Sequence, residues 1–111
     1  ESHVPRGMGL CCSVVGGDHE LLIGEGSEVH VLVCCLDYKY SPGHELTSSR
    51  DGKAMRRMAH HAGVASISMV DDLMQPGSPN FPTRKMVLHA IREASARCRP
   101  TDWFVWFFAG H

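Results

Sequence analysis

The feature that most restricts the fold is the apolar run from Trp103 to Phe108, near the end of the chain. All of its side chains are aromatic except Val105, so the run has no polar face to present to solvent. Such a run is typical of a strand buried on both faces, as in the centre of a parallel sheet. Gly110 and His111 come shortly after it. Because functional crevices in open α/β sheets lie outside the carboxyl ends of strands, His111 is a candidate general acid and base; the alternative is a polar loop residue without a chemical role.

The rest of the chain predicts alternating strands and helices. Apolar, β-branched segments at residues 29–36 and 64–70 predict strands, and helical spacing of apolar residues predicts helices at 48–62 and 82–98. Connections of helical length join parallel strands in a right-handed sense. The predicted fold class is therefore α/β, with a partial, mostly parallel sheet in the order β-α-β-α-β flanked by helices.

Two finer predictions concern the ends of these elements. Ser48 and Asp51 resemble a capping box at the start of the first helix, and Asp71 with Asp72 is interpreted as a solvated strand end. The buried stripe of that helix is expected to consist of small and apolar side chains at helical spacing: Ala54, Met55, Met58, Ala59 and Ala62.

Composition excludes several classes of function. The formal net charge is −1 with acids and bases interspersed, which argues against a nucleic-acid surface or a polybasic membrane patch. No apolar run reaches the roughly 20 residues of a membrane span. The five cysteines include two adjacent pairs, and adjacent strand residues point to opposite faces, so neither a disulfide framework nor a metal site is expected. Buried thiols in a reducing cytoplasm are the better interpretation.

The chain is expected to divide unequally. Residues 1–27 are interpreted as a tag-like or flexible segment with short strands, and residues 28–111 as the domain proper. Residues 1–7 resemble a cleavable linker and predict no structural element. Within residues 8–27, one interpretation is a first strand at residues 10–15 that turns into a second at 20–23.

A competing interpretation of the same stretch is lipid modification. The sequence from Met8 to Ser13 fits the N-myristoylation pattern, with Gly9 as the acceptor and Cys11 and Cys12 as palmitoylation sites. Acylation at two sites anchors a protein stably, whereas one chain gives marginal binding. On this hypothesis the protein is cytoplasmic and associates with a membrane through acylation.

Taken in order and spacing, these segments resemble the first part of a metacaspase, a caspase-like cysteine peptidase, over residues 29–111. Residues 31–38 (VLVCCLDY) resemble the family's opening strand, and residues 48–55 (SSRDGKAM) resemble the start of its first helix. Residues 71–72 with 82–91 resemble its second strand and helix, and residues 99–111 (RPTDWFVWFFAGH) resemble its aromatic strand that ends in histidine. The resemblance implies a caspase-like three-layer sandwich and a role in proteolysis and programmed cell death.

The resemblance also implies the chemistry. His111 would be the catalytic histidine, working with a cysteine that in caspases lies about 50 residues further on and is therefore expected outside this chain. The substrate would be a peptide or protein cleaved after Arg or Lys, with Asp51 as the pocket carboxylate. Ser48 and Ala109 stand where the family has a cysteine and a serine flanking the pocket. No cofactor or metal is expected in this chain, although the full-length parent would use calcium.

Two alternatives stay open at this point. Ser48 and Ala109 motivate a non-catalytic, caspase-like interaction or regulatory domain. The alternating layout also permits a flavodoxin-like binding module, although no Gly-rich phosphate loop comes after the first strand. Separately, the strand at residues 103–108 is expected to lack one neighbour and so to expose an edge that promotes aggregation.

Overall fold

A computed structural model describes residues 26–111 and, as strand backbone, residues 2–3 and 10–16. The elements within these residues are β1 (Ser2–His3), β2 (Leu10–Gly16), β3 (Val29–Cys35), α1 (Ser48–His61), β4 (Ser66–Asp71), α2 (Arg84–Ala96) and β5 (Trp103–Ala109). The three strands and two helices predicted between residues 29 and 108 are confirmed, with boundaries shifted by one or two residues. The fold class is α/β.

The strands form one sheet in the order β1-β2-β5-β3-β4. β3 pairs in parallel with both β4 and β5, so that Val31 lies opposite Ile67 on one side and Val105 on the other. β5 thus occupies the middle of the sheet, as its unbroken apolar run predicts. The predicted parallel centre is confirmed.

The free side of β5 is occupied by β2, which corrects the expectation of a missing neighbour. β2 runs antiparallel to β5 along its whole length, from Leu10 opposite Ala109 to Gly16 opposite Trp103. The predicted strand at residues 10–15 is therefore confirmed, whereas residues 20–23 lie outside the described residues. Ser2–His3 pairs with β2, although no element was predicted there.

One helix packs on each face of the sheet, because alternate strand residues point to opposite sides. The α1 face is built from Val31, Val33, Cys35, Ala59, Phe107 and Ala109. The α2 face is built from Leu32, Cys34, Val70 and Ala94, with Phe104, Trp106 and Phe108 packed against them. Neither described helix has the length and apolar content needed to cross a membrane.

The buried stripe of α1 matches the predicted one only in part. Met58 is 61% exposed, and Ala54 and Ala62 are also exposed. Ala59 is buried and Met55 packs against the core, as predicted, and the other buried positions of the helix are Ser48 and Gly52. Gly52 determines this orientation, because a Cβ atom there would lie 2.5 Å from the Sγ of Cys35. The glycine lets the helix backbone lie directly on β3.

The three parallel strands have their carboxyl ends at the same side of the sheet. β3, β4 and β5 all end there, at the side we call the carboxyl edge. Because α1 and α2 pack on opposite faces, the connections after β3 and β4 leave in opposite directions. This divergence is the place where α/β sheets form their functional crevices.

Candidate functional site at the carboxyl edge

His111 lies at the carboxyl edge, two residues beyond the end of β5, and its side chain is exposed. Its Nε2 atom is 3.2 Å from the backbone carbonyl oxygen of His44, in the loop between β3 and α1. A carbonyl oxygen only accepts, so Nε2 carries the proton that this hydrogen bond uses. In the neutral imidazole the basic nitrogen is then Nδ1. The ring is thus held as a tautomer with its Nδ1 lone pair ready to accept a proton.

Tyr38 contacts both backbone groups of His111. The Tyr38 Oη atom accepts a hydrogen bond from the His111 N–H at 3.0 Å and donates one to the His111 carbonyl oxygen. The two rings meet edge to face, with centroids 4.5 Å apart and planes at 87°. No role was predicted for Tyr38 from the sequence. The signal was present, since an aromatic residue with a hydroxyl comes shortly after a strand at the edge where His111 was expected.

Asp72 is the buried support of this edge, which corrects its interpretation as a solvated strand end. Its side chain lies just past β4 and is 5% exposed. The two carboxylate oxygens accept hydrogen bonds from the backbone N–H groups of Asp37 and Tyr38, each at 2.8 Å. A carboxylate buried in this way satisfies two donors that water cannot reach. Asp72 therefore fixes the backbone after β3 against the end of β4.

The start of α1 is capped by Asp37, so the predicted capping box of Ser48 and Asp51 is wrong. The N-cap residue, Thr47, makes no side-chain capping bond. The Asp37 carboxylate instead accepts from the Ser49 N–H at 2.7 Å and from the Ser49 hydroxyl at 2.6 Å. A negative charge at a helix N-terminus is favourable. The acceptor was missed because it comes from a preceding loop and not from within the helix.

The three residues expected near the substrate all lie at this same edge. Asp51 is exposed in the first turn of α1. Ser48 begins the helix and is 5% exposed, and Ala109 ends β5 and is 1% exposed. The Ala109 carbonyl oxygen accepts from the Leu36 N–H at 2.9 Å, which ties the ends of β5 and β3 together. Of the four predicted catalytic and substrate-binding residues, Asp51 and His111 therefore present their side chains to solvent.

Cys34 and Cys35 lie at the end of β3, close to the edge but inside the protein. Both are buried, on opposite faces of the sheet, as predicted for adjacent strand cysteines. Burial, with added repulsion from Asp72 and Asp71, raises the pKa of Cys34 to about 11. Burial and the charge of Asp71 likewise raise the pKa of Cys35 to about 12. Thiols held protonated in this way are poor nucleophiles.

Other predicted positions bear on modification and metals. Gly9 lies outside the described residues, and the backbones of Cys11 and Cys12 lie in β2 opposite Phe108 and Phe107. Acylation at these positions stays a prediction. Within the described part of the chain, no three metal-ligating side chains lie together.

The opposite side of the sheet, the amino edge, holds a separate buried network around Asp102. Asp102 is 4% exposed and accepts from the backbone N–H groups of Glu28 and Arg99, at 3.0 and 2.9 Å. Its Oδ2 also lies 3.2 Å from the Nε2 of His30, whose Nδ1 is 2.7 Å from the Ser66 hydroxyl. These contacts join the starts of β3, β4 and β5.

A surface depression of about 540 Å³ also lies at the amino edge, lined by residues 27–29 and 62–65. Among these lining residues, Glu28 has the one titratable side chain. The chemistry favours the carboxyl edge, because His111 there has an exposed imidazole with a defined tautomer.

Asp102 predicts a specific dependence of stability on pH. The hydrogen bonds from Arg99, first from its guanidinium and then from its backbone, hold the pKa of Asp102 well below its usual range. Since the folded pKa is the lower one, the stabilisation is complete above the unfolded value of about 4 and is lost as the pH falls below it. We expect chemical denaturation to show a free energy of unfolding that falls between about pH 4 and pH 2.

The Asp102→Asn variant tests this assignment. It should be less stable than the wild type near neutral pH and should show a shallower loss on acidification, since the titrating group is gone. Glu93→Gln, on the exposed face of α2, is the matched control and should keep the wild-type slope. Equal acid slopes for Asp102→Asn and the wild type would contradict the assignment.

Comparison with known protein families, with curated proteins and with solved structures finds no match to this chain.

Proposed function

We propose that this chain is the histidine-bearing part of a caspase-like cysteine endopeptidase that hydrolyses peptide bonds after Arg or Lys. The observation that carries the proposal is the hydrogen bond between His111 Nε2 and the His44 carbonyl oxygen. It leaves Nδ1 as the basic nitrogen, on an exposed ring just beyond a central strand. This is the arrangement that a general base needs in order to take a proton from a nucleophile arriving from solvent.

In the proposed reaction His111 relays two protons, one during acylation of the thiol and one during hydrolysis of the thioester. Nδ1 accepts the proton of a cysteine thiol, and the thiolate attacks the scissile carbonyl carbon. The C–N bond then breaks, and Nδ1–H gives its proton to the leaving amine. Water then attacks the thioester carbonyl carbon while Nδ1 accepts one of its protons; the C–S bond breaks, and Nδ1–H gives that proton to the leaving thiolate, which frees the acid and the thiol. Throughout, Nε2–H stays bonded to the His44 carbonyl and keeps the ring in orientation.

The nucleophile is proposed to lie outside this chain. Cys34 and Cys35 are buried with raised pKa values, so the proposal gives them packing roles only. Cys98 lies just past the end of α2, and its pKa is also raised by burial. The Cys98 Sγ lies 3.9 Å from the Ala94 carbonyl oxygen, at the end of α2 that leads into β5 at the amino edge.

Asp51 is the proposed partner of the basic substrate side chain. It is an exposed carboxylate in the first turn of α1, at the same edge as His111. A guanidinium or ammonium group would pair with it through charge-assisted hydrogen bonds. Ser48 and Ala109 are buried at the same edge and would shape the floor of the pocket.

The test uses the chain extended by its natural downstream residues, assayed on peptides with Arg or with uncharged norleucine before the scissile bond. We expect hydrolysis of the Arg peptide, and His111→Ala should lower kcat/KM by at least about 10³-fold. His89→Ala is the control, because His89 is an exposed α2 residue paired with Glu93 at 2.6 Å. It should leave activity unchanged.

A second candidate is a caspase-like domain without catalysis. The burial of Ser48 and Ala109 favours it, since neither side chain offers a polar group to a substrate. An extended chain that contains a downstream cysteine but hydrolyses neither peptide, with calcium present, would support this alternative. If His89→Ala lowered activity as much as His111→Ala, the assignment of His111 as the catalytic histidine would be contradicted.

A further inference from the structure

We propose that Tyr38 is the positioning residue of His111, and that Asp72 holds Tyr38 in place for this purpose. The inference rests on the proposed function for its catalytic meaning, and on the structure for its geometry. Tyr38 would touch neither the substrate nor the reacting atoms. It would act by fixing the backbone and the ring plane from which the His111 imidazole projects.

The contacts of Tyr38 with His111 restrain three separate parts of that residue. The phenol oxygen accepts from the backbone N–H at 3.0 Å and donates to the carbonyl oxygen. The tyrosine ring also meets the imidazole edge to face, with centroids 4.5 Å apart. With both backbone groups and one side of the ring held, the imidazole needs one further contact to fix its orientation. The His44 carbonyl oxygen supplies that contact at Nε2.

The backbone of Tyr38 is itself held in an uncommon conformation. Its φ angle is 55°, in the left-handed region that favours glycine. The Asp72 carboxylate binds its N–H at 2.8 Å, and its carbonyl oxygen accepts from the Ser41 N–H at 2.9 Å. A non-glycine residue persists in this region when its surroundings over-determine it, and such residues cluster at functional sites. In this backbone conformation the Tyr38 side chain extends across the carboxyl edge, from the end of β3 to His111 just beyond the end of β5.

Gly110 makes the approach of Tyr38 sterically allowed. A Cβ atom at this position would lie 3.0 Å from the Tyr38 Oη and 2.8 Å from the Phe108 Cζ. A side chain at residue 110 would require the phenol and the Phe108 ring to shift. The glycine before His111 therefore leaves room for the phenol at the distance that its hydrogen bonds to His111 use.

The test compares Tyr38→Phe with Tyr40→Phe in the isotope-labelled chain, by nuclear magnetic resonance. Tyr40 is a matched control two residues away, 42% exposed and packed edge to face with Phe81. Loss of the Tyr38 hydroxyl should speed amide exchange at His111 about tenfold, with exchange in the strand interiors unchanged. Tyr40→Phe should leave His111 unchanged.

A second variant separates positioning from stability. Tyr38→Gly removes the ring but relieves the left-handed strain, so the fold should survive while the His111 ring signals move toward unstructured values. In the extended chain, Tyr38→Phe should lower kcat about 10- to 100-fold with KM little changed.

Unchanged His111 exchange and ring signals in both variants would overturn the proposal. Changes spread equally over the whole sheet would also overturn it, because Tyr38 would then serve the fold in general. If the extended chain proves inactive, the proposed function fails while the resonance measurements still decide the role of Tyr38.

Discussion

Replacing Asp72 with alanine should lower the free energy of unfolding by about 2–5 kcal/mol, because two backbone donors would be left without partners. The N–H groups of Asp37 and Tyr38 both depend on this one carboxylate, at 2.8 Å each. Asp72 is 5% exposed, so water cannot replace it without a change of structure. A domain of this size has a total stability of about 5–15 kcal/mol, so this loss would be a large fraction of it. Urea denaturation followed by circular dichroism measures the change.

Asp71→Ala is a matched control for this prediction, since it removes the neighbouring carboxylate. Asp71 is half-buried and accepts one hydrogen bond, from the Leu73 N–H at 3.1 Å in an exposed turn. Its loss should cost no more than about 1 kcal/mol. Asp72→Asn should fall between the two, because its amide carbonyl still accepts one bond while its NH₂ group opposes the second donor. Equal losses for Asp71→Ala and Asp72→Ala would show that the buried carboxylate has no special role.

The contrast between these two aspartates shows what sequence patterns convey. The strand ending at Asp71 was predictable, because apolar alternation is a local property of the chain. The burial of Asp72 was not, because its partners lie 34 and 35 residues earlier. Adjacent carboxylates after a strand are usually solvated, and only the pairing of β3 with β4 brings the donors to Asp72. Long-range polar contacts of this kind leave no periodic signal.

The cap of α1 and the neighbour of β5 also depend on contacts between residues that are distant in the sequence. Ser48 and Asp51 have the spacing of a capping box, but the start of the helix is capped by the Asp37 carboxylate, which accepts hydrogen bonds from Ser49. The apolar run at residues 103–108 predicted a central strand, which is confirmed, but it does not say which strand lies beside it. Residues 10–15 carried competing strand and lipid interpretations, and the strand at Leu10–Gly16 fills the position. The type of each element could be predicted from the local pattern of residues, whereas its neighbours in the fold are determined by tertiary contacts.

The position of His111 was the part of the site that the sequence predicted best, because it depends on one rule about the ends of parallel strands. Tyr38 and the His44 carbonyl, which contact His111, lie beyond β3, and no local pattern predicts these contacts. The order of the sheet brings them to His111, since β3 lies directly beside β5. The position of His111 can therefore be predicted from local sequence, whereas the contacts that orient its ring can be identified only from the fold.

The contact between α1 and β3 depends on a single glycine, and Gly52→Val should destabilise the protein by about 3 kcal/mol or more. A Cβ atom at residue 52 would lie 2.5 Å from the Cys35 Sγ, 2.9 Å from the Cys35 Cβ and 3.3 Å from the Met69 Cε. Cys35 is completely buried and cannot move aside. The helix must therefore shift outward, which opens the α1 face of the core. Thermal and urea denaturation both measure the loss.

A graded series separates this steric effect from helix propensity. Alanine at residue 52 favours the helix by about 1 kcal/mol, so a net destabilisation by Gly52→Ala can only come from the contact with β3. Lys53→Ala, at the adjacent exposed position of α1, should change stability by no more than about 0.5 kcal/mol. In a Cys35→Ala background the nearest atom is gone, and the cost of Gly52→Ala should fall by about 1 kcal/mol or more. If that cost is the same in both backgrounds, the close approach of α1 to β3 is not what requires glycine at residue 52.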